Sequence, residues 1–246
     1  MLGKTKSGTT DTAIEHLEKL PPGGDPFFMF IHYYSTHAPY NKYPRWDFGD
    51  SDVERYDSSL AHQDHELGRL LKVLDEREDK DDTIIFIFSD HGEMLGDHGL
   101  TDHGRSLYES DVRVLLMARL PGSDVKTVQS PVSLTDLAPT VLELAQANGI
   151  KEDFDGQSLL PYAYRGYKNK KRPIFMFTEL KAGAINYNAS GVLRWPYKYI
   201  LDRRIKKEEM YNVQKDRGES GTLVRKKSRE SQKLKRLLES FEASLR

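Results

Sequence analysis

One stretch constrains this chain more than any other: Thr83-Ile-Ile-Phe-Ile-Phe-Ser-Asp-His-Gly-Glu93. An unbroken run of apolar and β-branched residues of this length reads as a strand buried on both faces, as in the interior of a parallel sheet. Asp90 and His91 follow where the strand ends, and Gly92 is expected to let the chain turn away. In open α/β sheets ligands gather beyond the carboxyl ends of the strands, so chemistry is expected here. A carboxylate beside an imidazole suits a divalent metal. The alternative is that Asp90 only caps the following turn and His91 lies on the surface.

The segments around this strand carry an α/β pattern. Thr10 or Asp11 can cap a short helix with Ala13, Ile14 and Leu17 on its apolar face. Pro26 to Tyr34 reads as a second buried strand, and His37 lies in the loop just past its end. Residues 41–54 read as an irregular loop. From Tyr56 to Glu76, Leu60, Leu67, Leu70, Leu71 and Leu74 recur at helical spacing, which predicts a crossover helix joining two parallel strands. His62 and His65 on that helix, set among Gln63, Asp64 and Glu66, read as a solvated face. Val112–Leu120 is a third strand, and Ser133 opens a helix with Asp136 placed to serve its first-turn amides. Past residue 160 come four short strand candidates, 174–177, 191–194, 197–201 and 209–213, and then a charged helix over 226–246. The expected fold is therefore α/β: a mainly parallel sheet flanked by helices, with a small C-terminal antiparallel sheet plus helix. The expected domains are a partial catalytic α/β domain over 1–160 and a subdomain over 161–246.

Composition excludes several classes. With 37 basic and 38 acidic residues the net charge is -1, which gives no reason to expect nucleic acid as a partner. Cysteine is absent, so the sequence offers no disulfide, no thiolate zinc site and no cysteine nucleophile. No apolar run approaches a membrane span, no signal-peptide core stands at the start, and the compartment is left unassigned. The polar opening Met1-Leu-Gly-Lys-Thr-Lys-Ser-Gly8 reads as a loop cut open. Asn188-Ala-Ser190 fits a glycosylation acceptor, a pattern too short to carry weight.

Three pieces together resemble the sulfatase family, within the alkaline phosphatase superfamily: His37-Ala-Pro-Tyr40, Phe88-Ser-Asp-His-Gly-Glu93, and Gly96-Asp-His-Gly-Leu-Thr-Asp-His-Gly-Arg-Ser-Leu-Tyr-Glu109. Arg113-Val-Leu-Leu116 is similar to the family's next strand, with Leu115 where a proline is common. Ser133 to Thr140, Asp155 to Leu159, and Glu209 to Val213 with Asp216 and Glu219 look like its later landmarks. Order and spacing together carry the resemblance, which runs from about Thr10 to about Glu219.

The resemblance implies a fold of alkaline phosphatase and sulfatase type, and a metal-assisted covalent hydrolysis of sulfate esters. It makes Asp90 and His91 metal ligands, for Ca2+ or Mn2+, in a site incomplete in this chain. It makes His37 a contact to the sulfate or phosphate group and His103 a partner of the leaving-group oxygen, where many sulfatases have lysine. Both then serve catalysis and substrate binding. Complete members also carry an acidic pair on a first strand and a nucleophile in Cys/Ser-x-Pro-x-Arg, or a threonine or serine in phosphoryl-transfer relatives. Neither feature is found in this sequence, so no nucleophile is assigned. The expected partners are a sulfate-ester or phosphate-ester substrate and either a missing N-terminal half or a second copy. The rival expectations are a phosphoryl transferase, phosphodiesterase or phosphonate hydrolase on the same scaffold, or a truncated homologue without catalysis.

Overall fold

A computed structural model describes residues 8–147, 149, 153–182, 185–225 and 228–245. The chain separates into two compact units, Met1–Ile84 and Ile85–Arg246.

The first unit is built on two helices, α1 (Gly8–Lys19) and α2 (Asp52–Asp75). Their apolar residues Ala13, Leu17, Leu70 and Leu74 are all buried. Arg77 donates to the carbonyls of Leu17 and Leu20 at 2.8 and 3.1 Å, which satisfies acceptors left over at the end of α1. Helix α1 starts at Gly8, so Thr10 is inside it rather than a cap, and its hydroxyl meets Tyr33 Oη at 3.2 Å. Helix α2 opens with a capping box in which Ser51 and Glu54 each serve the other's backbone amide.

The face of α2 carrying His62 and His65 is not solvated as the charges around it suggested. His62 is buried and stacks on Tyr43 with centroids 3.8 Å apart. The hydroxyls of Ser58 and Ser59 accept the amides of Tyr43 and Asn41, which ties the 41–46 loop down over this face. Two small hydroxyl residues outweighed a polar composition.

The second unit contains β1 (Ile85–Phe88), a hairpin of β2 (Met94–Leu95) and β3 (Thr101–Asp102), the turn α3 (Glu109–Val112), β4 (Leu116–Arg119), α4 (Leu137–Leu144) and α5 (Leu160–Tyr164). It ends with β5 (Ile174–Ala182), β6 (Ile185–Arg194), β7 (Tyr197–Asp202), β8 (Lys207–Asn212) and α6 (Ser228–Ser244). The four late strands form one antiparallel sheet in sequence order, as their short spacing predicted. Its two faces bury different things. Tyr199 and Met210 face Leu234 and Leu238 of α6, while Ile200 and Tyr211 face Leu107 in the loop before α3. This is the period-two alternation of a sheet buried on both sides.

The strand pairing expected around β1 needs correction. Residues 26–34 carry no strand ladder among the described residues. Strand β1 pairs antiparallel with β4, from Ile85 opposite Arg119 to Phe88 opposite Leu116. Residues 89–115 return the chain without a crossover, and a return of that kind gives antiparallel neighbours. Phe28, Phe30 and Tyr34 in the first unit, and Leu115 and Met117 in the second, are exposed. Apolar faces of this kind are what a larger sheet covers.

Beneath α3 lies a fully buried ammonium. Lys198 Nζ is 2.9 Å from Glu109 and 2.6 Å from Glu219, and Glu219 also accepts the Glu109 amide at 2.6 Å. Lys198→Met would strand both carboxylates. We expect this to cost about 3–5 kcal/mol of unfolding free energy, read from denaturant midpoints. A loss below about 1 kcal/mol would show that the pair does not hold the loop.

Candidate active site

Beyond β1, Asp90 Oδ1 accepts the His91 amide at 3.0 Å, so this carboxylate does serve its own turn. The His91 ring is oriented by Gly92: Nδ1 lies 2.7 Å from the Gly92 carbonyl, which can only accept. In the neutral ring the lone pair is therefore on Nε2, and Nε2 stands 3.7 Å from Asp90 Oδ2. Two donor atoms at that spacing can share one ion through bonds of about 2.0–2.4 Å. Both side chains reach solvent.

Gly92 has a different task from the one its sequence position suggested. Its φ is not left-handed, but a Cβ there would stand 2.1 Å from the Ser110 carbonyl oxygen. Its amide donates to the Asp111 carbonyl at 2.7 Å. Only glycine allows these two backbones to touch.

This contact brings the 96–111 loop over Asp90 and His91. The buried Asp111 carboxylate accepts the amides of Gly104 and Ser106 at 3.1 and 3.0 Å and the Ser106 hydroxyl at 2.9 Å. Thr178 of β5 donates to the Gly104 carbonyl at 2.8 Å. His103, held between them, stacks on His91 with centroids 3.9 Å apart. Its Nδ1 lies 3.2 Å from Asp102 and 3.4 Å from the nearly buried Glu93, placed to donate to either.

Three features of this loop escaped sequence reading. His98 and Asp102 adopt left-handed φ of 54° and 71°, a strained state for non-glycine residues that often marks functional loops. His98 stacks on Tyr108 with centroids 3.7 Å apart. Burial, together with the Glu209 carboxylate, pushes the Tyr108 phenol up to about 12. Arg105 lies beside Asp102 at 3.3 Å, and its Nε is buried without a hydrogen-bond partner. Only its nearness to His103 in sequence could have drawn attention to it.

His37 belongs to the first unit. Its Nδ1 lies 2.6 Å from the Ala38 carbonyl and its ring stacks on Tyr34 at 4.3 Å, so the outward nitrogen is Nε2. The structure thus unites Asp90, His91 and His103 in one cluster, while His37 is oriented within its own unit. Glu93, Asp102 and His103 form a further set whose ligand atoms lie within 4.8 Å of one another.

Residues 6–147 match the family model described as Sulfatase. The chain belongs to the sulfatase family. Residues 96–244 also match the model for the C-terminal part of N-sulphoglucosamine sulphohydrolase. Among curated sulfatases, choline-sulfatase of Rhizobium meliloti is 28% identical over 180 residues, covering 71% of this chain and 34% of that protein. Arylsulfatase K of Gallus gallus is 28% identical over 225 residues, covering 86% and 41%. The crystal structure of the putative sulfatase yidJ from Bacteroides fragilis superposes with a TM-score of 0.85 at 17% identity, over 96% of this chain and 58% of that one. This likeness shows the sulfatase-type fold. The chain spans less than half the length of either curated relative. Members of the sulfatase family generally use a divalent metal.

Gly92→Ala tests whether the close backbone approach builds this cluster. We expect a loss of about 1–3 kcal/mol in stability and separation of the His91 and His103 ring signals from mutual contact in NMR spectra. Unchanged stability with the ring contact kept would contradict the assignment.

Proposed function

We propose that the chain forms part of a sulfate-ester hydrolase that works by metal-assisted covalent catalysis. Residues 1–160 belong to the catalytic domain and 161–246 to a supporting subdomain. The observation that supports this reading best is the stack of His103 on His91 beside Asp90, because it unites two motifs that are separate in sequence.

The residues divide the work by their hydrogen bonds. His91, with Nδ1 given to Gly92, offers Nε2 beside Asp90 as a metal ligand. A divalent ion held there supplies positive charge against the oxygens of the transferred group. His37 has Nδ1 committed to Ala38, so it holds a non-bridging oxygen by donating from Nε2 as imidazolium. His103 gives Nδ1 to the Glu93 and Asp102 side, which leaves Nε2–H to protonate the ester oxygen as the sulfur–oxygen bond breaks. Arg105 adds a second cation beside this proton donor. The nucleophile comes from outside this sequence, which has no cysteine and no Ser-x-Pro-x-Arg. Phosphate-ester transfer is the second reading, favoured by histidine rather than lysine at 103. Among the described residues no helix is long and apolar enough to cross a membrane.

The test is turnover of nitrophenyl sulfate and nitrophenyl phosphate with Ca2+ or Mn2+. Lacking a nucleophile, the chain alone should fall short of a complete sulfatase by on the order of 10⁴ to 10⁶ in rate. Adding a nucleophile-bearing upstream segment should restore turnover, with sulfate preferred. Metal-dependent turnover by the chain alone, lost in His37→Ala or Asp90→Ala, would overturn the division of labour. Preference for phosphate would select the second reading.

A further inference from the structure

A basic surface of the second unit is built by the loops that precede β5. Between Leu160 and Pro173 the sequence holds five basic residues and no acidic one, in a chain of net charge -1. Arg172 is not part of the surface, because its guanidinium forms a bidentate pair with the buried Asp136 at 2.6 and 2.7 Å. Arg165, Lys168, Lys170 and Lys171 are exposed, and none forms an ion pair among the described residues. A second loop brings a fifth cation: the Lys126 ammonium donates to the Ala163 carbonyl. The Ser130 hydroxyl accepts the Asn169 amide at 3.0 Å, and Tyr164 Oη donates to the Pro121 carbonyl at 2.7 Å. These bonds fix the 121–130 and 164–171 loops side by side. Only Asp124 opposes the five positive charges on them.

We propose that this surface is an exosite for a sulfated polysaccharide, bound along its length by Lys126, Arg165, Lys168, Lys170 and Lys171. Clustered unpaired cations raise the local concentration of a polyanion far more than that of a single ester. The connection to the histidines is a strand. Strand β5 starts at Ile174, directly after the basic run, and its Thr178 holds the Gly104 carbonyl next to His103. Four residues at about 3.3 Å each make roughly 13 Å between them. A polymer spans that distance and a small sulfate ester does not. Tyr167, exposed beside Lys168, adds an aromatic face. The choice of sulfated polysaccharide over other polyanions rests on the sulfate-ester reading of the site.

The experiment is a titration of the whole chain with fluorescent dextran sulfate, unsulfated dextran and duplex DNA at several NaCl concentrations. The variant is Lys168→Glu/Lys170→Glu/Lys171→Glu. Its control is Lys72→Glu/Lys80→Glu/Lys206→Glu, which makes the same charge change at exposed positions elsewhere. We expect dextran sulfate affinity to fall about tenfold or more in the first variant, with a flatter salt dependence, and to be nearly unchanged in the control. Unsulfated dextran should not bind. His103→Ala should leave this binding intact, so the exosite stands or falls apart from hydrolysis. Undiminished binding by the first variant, an equal loss in the control, or a loss in His103→Ala would overturn the exosite. DNA binding as tight as that of dextran sulfate would overturn the polysaccharide assignment. Should the first variant lose its circular dichroism, the three Lys→Gln changes replace it under the same criteria.

Discussion

A single buried ammonium carries much of the second unit. Lys198 sits on the face of β7 that looks toward the 103–109 loop, where a hydrophobic side chain would be expected from strand alternation. An unpaired charge there would cost several kcal/mol, so the structure supplies two carboxylates from distant parts of the chain. Glu109 comes from the start of α3 and Glu219 from the turn after β8. Their common partner locks the loop that holds His103 to a sheet formed almost a hundred residues later. Leu107 extends the lock by filling the apolar part of the same face, and Thr178 adds a third tie at Gly104. The C-terminal sheet thus has a reason to accompany the catalytic motifs: it is the floor on which the loop is set.

On that floor, two adjacent imidazoles have different hydrogen-bond partners. His91 faces a carbonyl that accepts a hydrogen bond from Nδ1–H, which leaves the lone pair on Nε2 beside Asp90. His103 Nδ1 faces two carboxylates and is placed to donate to either. The set Glu93, Asp102 and His103 satisfies a distance criterion for a metal as well. Its geometry is equally that of an imidazolium between two carboxylates, and the exposed pair of Asp90 and His91 is the better-prepared ligand set.

Much of this was legible in the sequence, and the exceptions have physical causes. The strand running into Asp90 and His91, the capping box at Ser133 with Asp136, the late antiparallel strands and the final helix all have local signals, and all are formed. Grouping His103 with Asp90 and His91 came from a resemblance and not from any local signal. What failed to show was non-local. Nothing in the α2 pattern reveals that Ser58 and Ser59 would draw a loop over His62. The role of Gly92 depends on the carbonyl of Ser110, eighteen residues away. The antiparallel partner of β1 is β4, and a buried-strand pattern does not name its neighbour. Lys198 looks like an ordinary charged residue on a short strand. Asn188, a formal glycosylation acceptor, lies in the ladder of β6 opposite Glu179, with Ser190 buried.

Asp90 and His91 are proposed as a metal-directed half-site shaped within this chain. The most direct measurement is paramagnetic line broadening of the histidine ring signals on titration with Mn2+, which registers even weak binding. Broadening should be strongest at His91, then at His103 stacked on it, and both effects should be lost in Asp90→Asn. Broadening that persists in Asp90→Asn and disappears in Glu93→Gln would move the ion to the other carboxylates. That result would contradict the assignment.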